Sequence, residues 1–209
     1  MSGELSFVTD AAQLRSILGE PTKRAATKER YALHDMDRRW IGASPFVLVA
    51  TANERGECEV SPKGDPAGFV HIVDDTTLAV PERPGNKRAD GFHNVLSNPH
   101  VGLLFMIPSR TDTLRISGRA RIVSDAPYFD AMVAKGHRPR LALHIDIQHL
   151  FYHCAKAFMR SSLWAPATWT EDALPSRAKI VRAIENPDKS LEELEEYYGE
   201  AYAKKLYAE

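Results

Sequence analysis

Residues 113–123, TLRISGRARIV, alternate without a break. Leu114, Ile116, Gly118, Ala120 and Ile122 fall on one side, and Arg115, Ser117, Arg119 and Arg121 on the other. A period of two over eleven residues fits a β-strand with one buried face and admits no amphipathic helix. The neighbouring segments are strands as well. FVLVATA (46–52) is a continuous apolar run, CEVSPK (58–63) a second strand, and GFVHIV and TTLAVP (68–73, 76–81) flank a tight turn at Asp74-Asp75. HVGLLFMIP (100–108) and LALHIDIQHLFYHC (141–154) complete the set, the latter with Leu143, Ile145, Ile147 and Phe151 expected on one side. Most of these strands have no helix between them, so a parallel βαβ sheet is excluded. About seven short strands with few helices predict a small, mainly β, antiparallel barrel.

Helices are expected at the margins. Thr9 or Asp10 can cap one whose Leu14, Ile17 and Leu18 share a face, ended by Gly19 and Pro21. A second is expected through KERYALHDMDRRWIGA (28–43), a third in ADGFHNVLS (89–97), and a short one in APYFDAMVAK (126–135). The stretches LPSRAKIVRAIENP and SLEELEEYYGEAYAKKLY are helical and charged, the latter with a Ser190-to-Glu193 capping pattern. The expected organisation is an N-terminal helical extension (1–42), a barrel (43–166) and C-terminal helices packed on the barrel (167–209).

Charge narrows the function. Lys+Arg number 27 against Asp+Glu 28 among 209 residues, a net charge of −1, which argues against a nucleic-acid binder. No apolar stretch approaches membrane-spanning length, and MSGELSFVTDAAQL has no basic region followed by an apolar run. A cytoplasmic protein with two reduced thiols, Cys58 and Cys154, is therefore expected. His149 and His153 share a strand face but stand roughly 13 Å apart, too far for one ion, so no metal site is expected.

One loop departs from the neutral background. In AVPERPGNKRADGF (79–92), Arg83, Lys87 and Arg88 crowd a strand-to-helix junction beside Pro84, Gly85 and Asn86. Guanidinium forks, an ammonium and the free N–H groups of a helix start together suit a phosphate. By composition alone the loop is equally a solvated basic turn.

Taken in order, SPFVLVAT, CEVSPKGDPAGFV, DDTTLAVPERPGNKRADGFHNVLSNPHVGLLFMIP, TLRISGRARIV and FYHCAKAFMRSSLW resemble the pyridoxamine 5′-phosphate oxidase-like family of FMN-binding split β-barrels. The motifs SPKGD, PGN-R and HC-KA are similar to those of a bacterial subgroup of flavin-dependent proteins, and the resemblance spans roughly residues 40–166. It implies a six-stranded antiparallel split barrel, a homodimer with FMN at the interface, and hydride transfer through the flavin, with NAD(P)H a possible donor and a small-molecule substrate. It implies cofactor contacts from Val60, Ser61 and Lys63, from Val80 and Pro81 at the end of the hairpin strand, and from Arg83, Asn86, Lys87 and Arg88 in the basic loop. Arg115 and Ser117 would come from the other subunit, and Lys156, Arg160 and Trp164 would complete the pocket. The oxidases place their Arg-Lys pair closer to the Asn-Pro before the next strand, where this chain has Asp90-Gly91, and their C-terminal Trp-plus-Arg pattern is not recognisable here. The same fold also accommodates non-catalytic flavin or haem binders, with His149 or His153 as axial ligand, and reductases that use the deazaflavin F420.

Overall fold

A computed structural model describes residues 4–170, 173–200, 202, 206 and 207. The chain starts with α1 (Ala11–Leu18), α2 (Lys23–Ala26) and α3 (Asp35–Ala43), followed by β1 (Phe46–Ala52), β2 (Cys58–Gly64), β3 (His71–Ile72) and β4 (Thr77–Pro81). After α4 (Asp90–Ser97) come β5 (His100–Met106), β6 (Thr113–Val123) and β7 (Ala142–His153). Helices α5 (Lys156–Arg160), α6 (Arg177–Ile184) and α7 (Leu191–Tyr197) end the series.

The seven strands form one antiparallel sheet in the order β2-β1-β5-β6-β7-β4-β3. It curls around a core in which Ile41, Val47, Phe105, Leu114, Ile116, Ile145 and Leu150 have no more than trace exposure. It does not close: β2 and β3 are its free edges. The seven strands match the number that the periodicity predicts, one more than the six that the resemblance implies, and β3 is only two residues long, cut short of the six-residue GFVHIV run.

β6 carries the alternation as predicted: Leu114, Ile116 and Ala120 are buried, Arg115, Arg119 and Arg121 exposed. β7 departs from it. Ser117 pairs with His149 while Gly118 pairs with Ile147, so Gln148 is an extra residue in a β-bulge. The bulge switches the faces of β7. Leu143, Ile145 and Ile147 point into the core, but beyond Gln148 the core residue is Leu150, and Phe151 stands with Arg115 on the opposite face. The expectation that Phe151 shares a side with Ile147 is therefore corrected.

Two helical expectations are also shortened. Of residues 28–43 only Asp35–Ala43 is helix, because Arg30 leaves helical geometry to exchange backbone hydrogen bonds with Leu150 of β7 at 2.8 and 3.0 Å. Residues 126–135 contain a single 3₁₀ turn, Asp130–Met132, under which Phe129 is fully buried. The terminal caps hold. Asp10 Oδ1 accepts from Gln13 N at 2.8 Å, and Ser190 and Glu193 form a reciprocal capping box. α6 and α7 bury Ala178, Val181 and Leu194 against each other. The long C-terminal helix breaks after Tyr197, and residues 201 and 203–205 of that stretch lie outside the described residues.

Candidate functional site

Helix α4 lies against β1, β2 and β6. Where it starts, a cleft of ≈ 140 Å³ opens between Val49 and Thr51 of β1, Glu59, Ser61 and Lys63 of β2, Glu82, Asn86 and Arg88 of the loop after β4, and the first turn of α4 from Ala89 to Phe92, with Leu143 of β7 below. The period of two along β2 sends residues 59, 61 and 63 to this side and leaves Val60 outside, 58% exposed.

The loop reaches the helix by an unusual backbone route. Lys87 (φ 61°) and Ala89 (φ 56°) are both left-handed without being glycine. Asn86 Oδ1 accepts from Arg88 N at 3.1 Å and fixes the turn between them. Ala89 is the N-cap of α4 and offers no side-chain acceptor; its carbonyl takes the N–H groups of Phe92 and His93, both at 2.9 Å. The first turn of α4, which lines the cleft, thus starts without a side-chain cap for its earliest amides. At Gly91 a methyl group would lie 3.5 Å from Thr51 Oγ1 and 3.7 Å from Ser61 Oγ, so two hydroxyls stand close to the helix start. Thr51 is buried and its Oγ1 accepts from Asn94 Nδ2 at 3.1 Å, which leaves its hydroxyl hydrogen to be donated elsewhere. Amides, hydroxyls and a guanidinium at a helix N-terminus form a donor set suited to a phosphate.

Both cleft cations are paired. Lys63 Nζ contacts Glu82, and lies 5.5 Å from the centroid of the Phe92 ring. Arg88 Nε donates to Asp90 Oδ2 at 2.8 Å, a bond that pushes the Arg88 guanidinium further up from its ordinary value. An incoming anion must therefore take Arg88 from a neighbouring carboxylate rather than find it free. Arg88 is mostly exposed, so that exchange costs little.

The structure brings Ser61, Lys63, Asn86 and Arg88 together in the cleft. The other residues expected at the cofactor lie elsewhere. Val80 and Pro81 are buried in β4. Arg83 is turned away: Nε donates to Asp65 Oδ2 at 2.6 Å and Nη2 to the Met132 carbonyl at 2.7 Å. Lys87 is exposed outside the cleft. Arg115 and Ser117 are on the outer face of β6, where Arg115 lies over the Phe151 ring at 5.5 Å. Lys156 and Arg160 are exposed on α5, and Trp164 Nε1 donates to the Arg110 carbonyl at 2.7 Å. His149, Phe151 and His153 stack in a row on β7, and among the described residues no group of three or more His, Cys, Asp or Glu side chains stands close enough to hold a metal ion. Cys58 and Cys154 are free and exposed. No described helix is long and apolar enough to cross a membrane.

Thr51, Glu59, Glu82, Asp90, Gly91 and Phe92 line the cleft without having been expected there. Gly91 and Asp90 were visible as the pair standing where the oxidases carry cations. Thr51 had no signal, because a threonine in an apolar strand reads as packing.

A family model described as pyridoxamine 5′-phosphate oxidase matches residues 33–154, more than half of the chain. No curated protein matches the sequence. Among solved structures, a candidate pyridoxamine 5′-phosphate oxidase from Lactobacillus delbrueckii is 22% identical, covering 60% of this chain and 99% of its own, with a TM-score of 0.47. HupZ of Group A Streptococcus is 19% identical over 57% of this chain and 93% of its own, with a TM-score of 0.47. An FMN-binding protein of Syntrophomonas wolfei is 13% identical over 57% of this chain and 89% of its own, with a TM-score of 0.42.

Proposed function

The chain belongs to the pyridoxamine 5′-phosphate oxidase family, and on that premise we propose that it is an FMN-dependent oxidoreductase acting on a small molecule. The observation that carries this reading is the start of α4, whose amides meet Arg88, Ser61 and Thr51 around one cleft. These groups would hold the FMN phosphate, and Lys63, on the same face of β2 as Ser61, places a positive charge beside it. Bound FMN supplies two-electron hydride chemistry, and the protein supplies position and electrostatics. Asp90 and Glu82 hold Arg88 and Lys63 in place until an anion arrives.

The proposal includes a homodimer. Arg115 and Ser117 face away from the cleft of their own copy, so they would reach a cofactor only from a second copy.

Arg88→Ala tests the phosphate assignment. A charge-assisted hydrogen bond at an exposed site is worth about 1.5 kcal/mol, so the FMN dissociation constant is expected to rise about tenfold. Riboflavin, which lacks the phosphate, is expected to bind both proteins equally. Equal weakening of both flavins, by fluorescence titration, would remove Arg88 from the phosphate.

A further inference from the structure

Directly after β2, Asp65 has a side chain with no exposed surface. Two donors from distant parts of the chain satisfy it. Oδ2 accepts from Arg83 Nε at 2.6 Å, and Oδ1 accepts from the phenol of Tyr207. The Arg83 guanidinium continues to the carbonyls of Met132 at 2.7 Å and His137 at 3.4 Å. The His137 ring stacks on Tyr207 with centroids 5.5 Å apart. The hydrogen bond from Tyr207 to Asp65 also pushes the phenol up from its ordinary value.

Arg83 is the neighbour of Glu82 and three residues before Asn86, both of which line the cleft. We propose that Tyr207 is a positioning residue for this cleft: by holding Asp65 it fixes Arg83, and through Arg83 the loop that carries Asn86 and Arg88. Which ligand the loop receives rests on the FMN reading; the clamp itself does not.

A buried carboxylate needs every oxygen satisfied, and loss of the phenol leaves Oδ1 without its donor, which favours opening of the Asp65–Arg83 pair to water. The loop also holds Lys87 and Ala89 at positive φ. Such backbone is costly and persists only where its surroundings over-determine it. Glu82 is held by the Leu141 carbonyl, 2.8 Å from its N, and by Lys63, and Asn86 bonds within the loop, while Arg83 is the loop residue that ties it both to Asp65 after β2 and to the Met132 carbonyl.

Tyr207→Phe in the full chain tests this, because it removes one hydroxyl and keeps the ring on His137. Loss of one hydrogen bond to a buried carboxylate predicts about tenfold faster amide exchange over residues 82–89 and about fivefold weaker FMN binding, with riboflavin affinity unchanged. Unchanged exchange over 82–89 overturns the clamp. Faster exchange with FMN affinity unchanged, or with both flavins weakened equally, overturns the positioning role. If the unmodified protein binds neither flavin, the FMN reading falls, and the exchange experiment alone decides the clamp.

Discussion

Gly118→Ala is expected to destabilise the fold by about 3 kcal/mol or more, lowering the thermal midpoint by about 6–12 °C. A Cβ built on Gly118 would lie 2.5 Å from the Asp146 carbonyl oxygen and 2.9 Å from Ile145 Cγ2. The first of these is backbone on the paired strand and has no rotamer by which to retreat. Gly118 sits at the β6–β7 bulge, where two residues of β7 crowd against one of β6. A methyl group there must push the central pair of long strands apart, and Ile116, Leu150 and Ile145, all without exposure, lose packing together. Gly102, on the neighbouring strand β5, is the control. Its added Cβ would meet only the Ala50 methyl at 3.8 Å, an ordinary contact, so Gly102→Ala is expected to leave the midpoint nearly unchanged. Thermal unfolding of the two variants beside the parent protein separates a steric defect at the bulge from a general intolerance of alanine in the sheet. A Gly118→Ala protein as stable as the parent would mean that β6 and β7 do not approach in this register.

Asp37→Asn carries the second large effect, about 2–3 kcal/mol at neutral pH, read by urea unfolding. Asp37 has no exposed side-chain surface. It accepts from both terminal nitrogens of Arg30, the second at 2.8 Å, and from His34 N at 2.8 Å. This one carboxylate closes the capping box of α3 and ties that helix to the segment whose Arg30 pairs with Leu150 of the barrel. Burial raises the Asp37 carboxyl, but the hydrogen bonds from Arg30, the His34 backbone and Tyr152 outweigh it and hold the group below its ordinary 3.8. The same surroundings push the Tyr152 phenol up to about 12, first by burial and then by the Asp37 charge. A carboxyl depressed in the folded state stabilises at pH above its unfolded value, and that contribution is lost as pH falls through the folded one. The parent protein should therefore lose stability below about pH 4 more steeply than Asp37→Asn, whose amide does not titrate. Parallel acid limbs for the two proteins would contradict the assignment. The Arg30 side chain is about one-third exposed, so the expected loss is below the range for a fully buried pair.

The fold was legible where periodicity was strong. TLRISGRARIV predicts β6 residue by residue because one face is buried from Leu114 to Ala120. The bulge was not read, although two traces of it are present in the sequence. The apolar positions of β7 change parity between Ile147 and Leu150, and a glycine interrupts an otherwise aliphatic face of β6 at 118. Either alone is a common accident; together they mark an inserted residue. The segment before α3 reads as helix by composition, and only its pairing with Leu150, 120 residues later in the chain, pulls it straight. In the cleft, the charge of Arg88 is a local property of its loop, whereas Ser61, Lys63 and Asn86 follow from the family resemblance, which also includes Val60 although the period of two along β2 turns it away. What Arg83 does was not legible, since its partners are a carboxylate after β2, a carbonyl near 132 and, through Asp65, a tyrosine at 207. A basic residue shows its charge in the sequence, but its counter-ion is set by the tertiary fold.

The most direct test of the central claim is an anaerobic absorbance titration of the purified protein with FMN, followed by NADH or NADPH. The proposed function predicts saturable flavin binding at one FMN per chain, with perturbed flavin bands, and loss of those bands on adding one of the two nicotinamides. A protein that leaves the FMN spectrum unperturbed and the flavin freely dialysable contradicts the account, and bound FMN that neither nicotinamide bleaches removes NAD(P)H as the hydride donor.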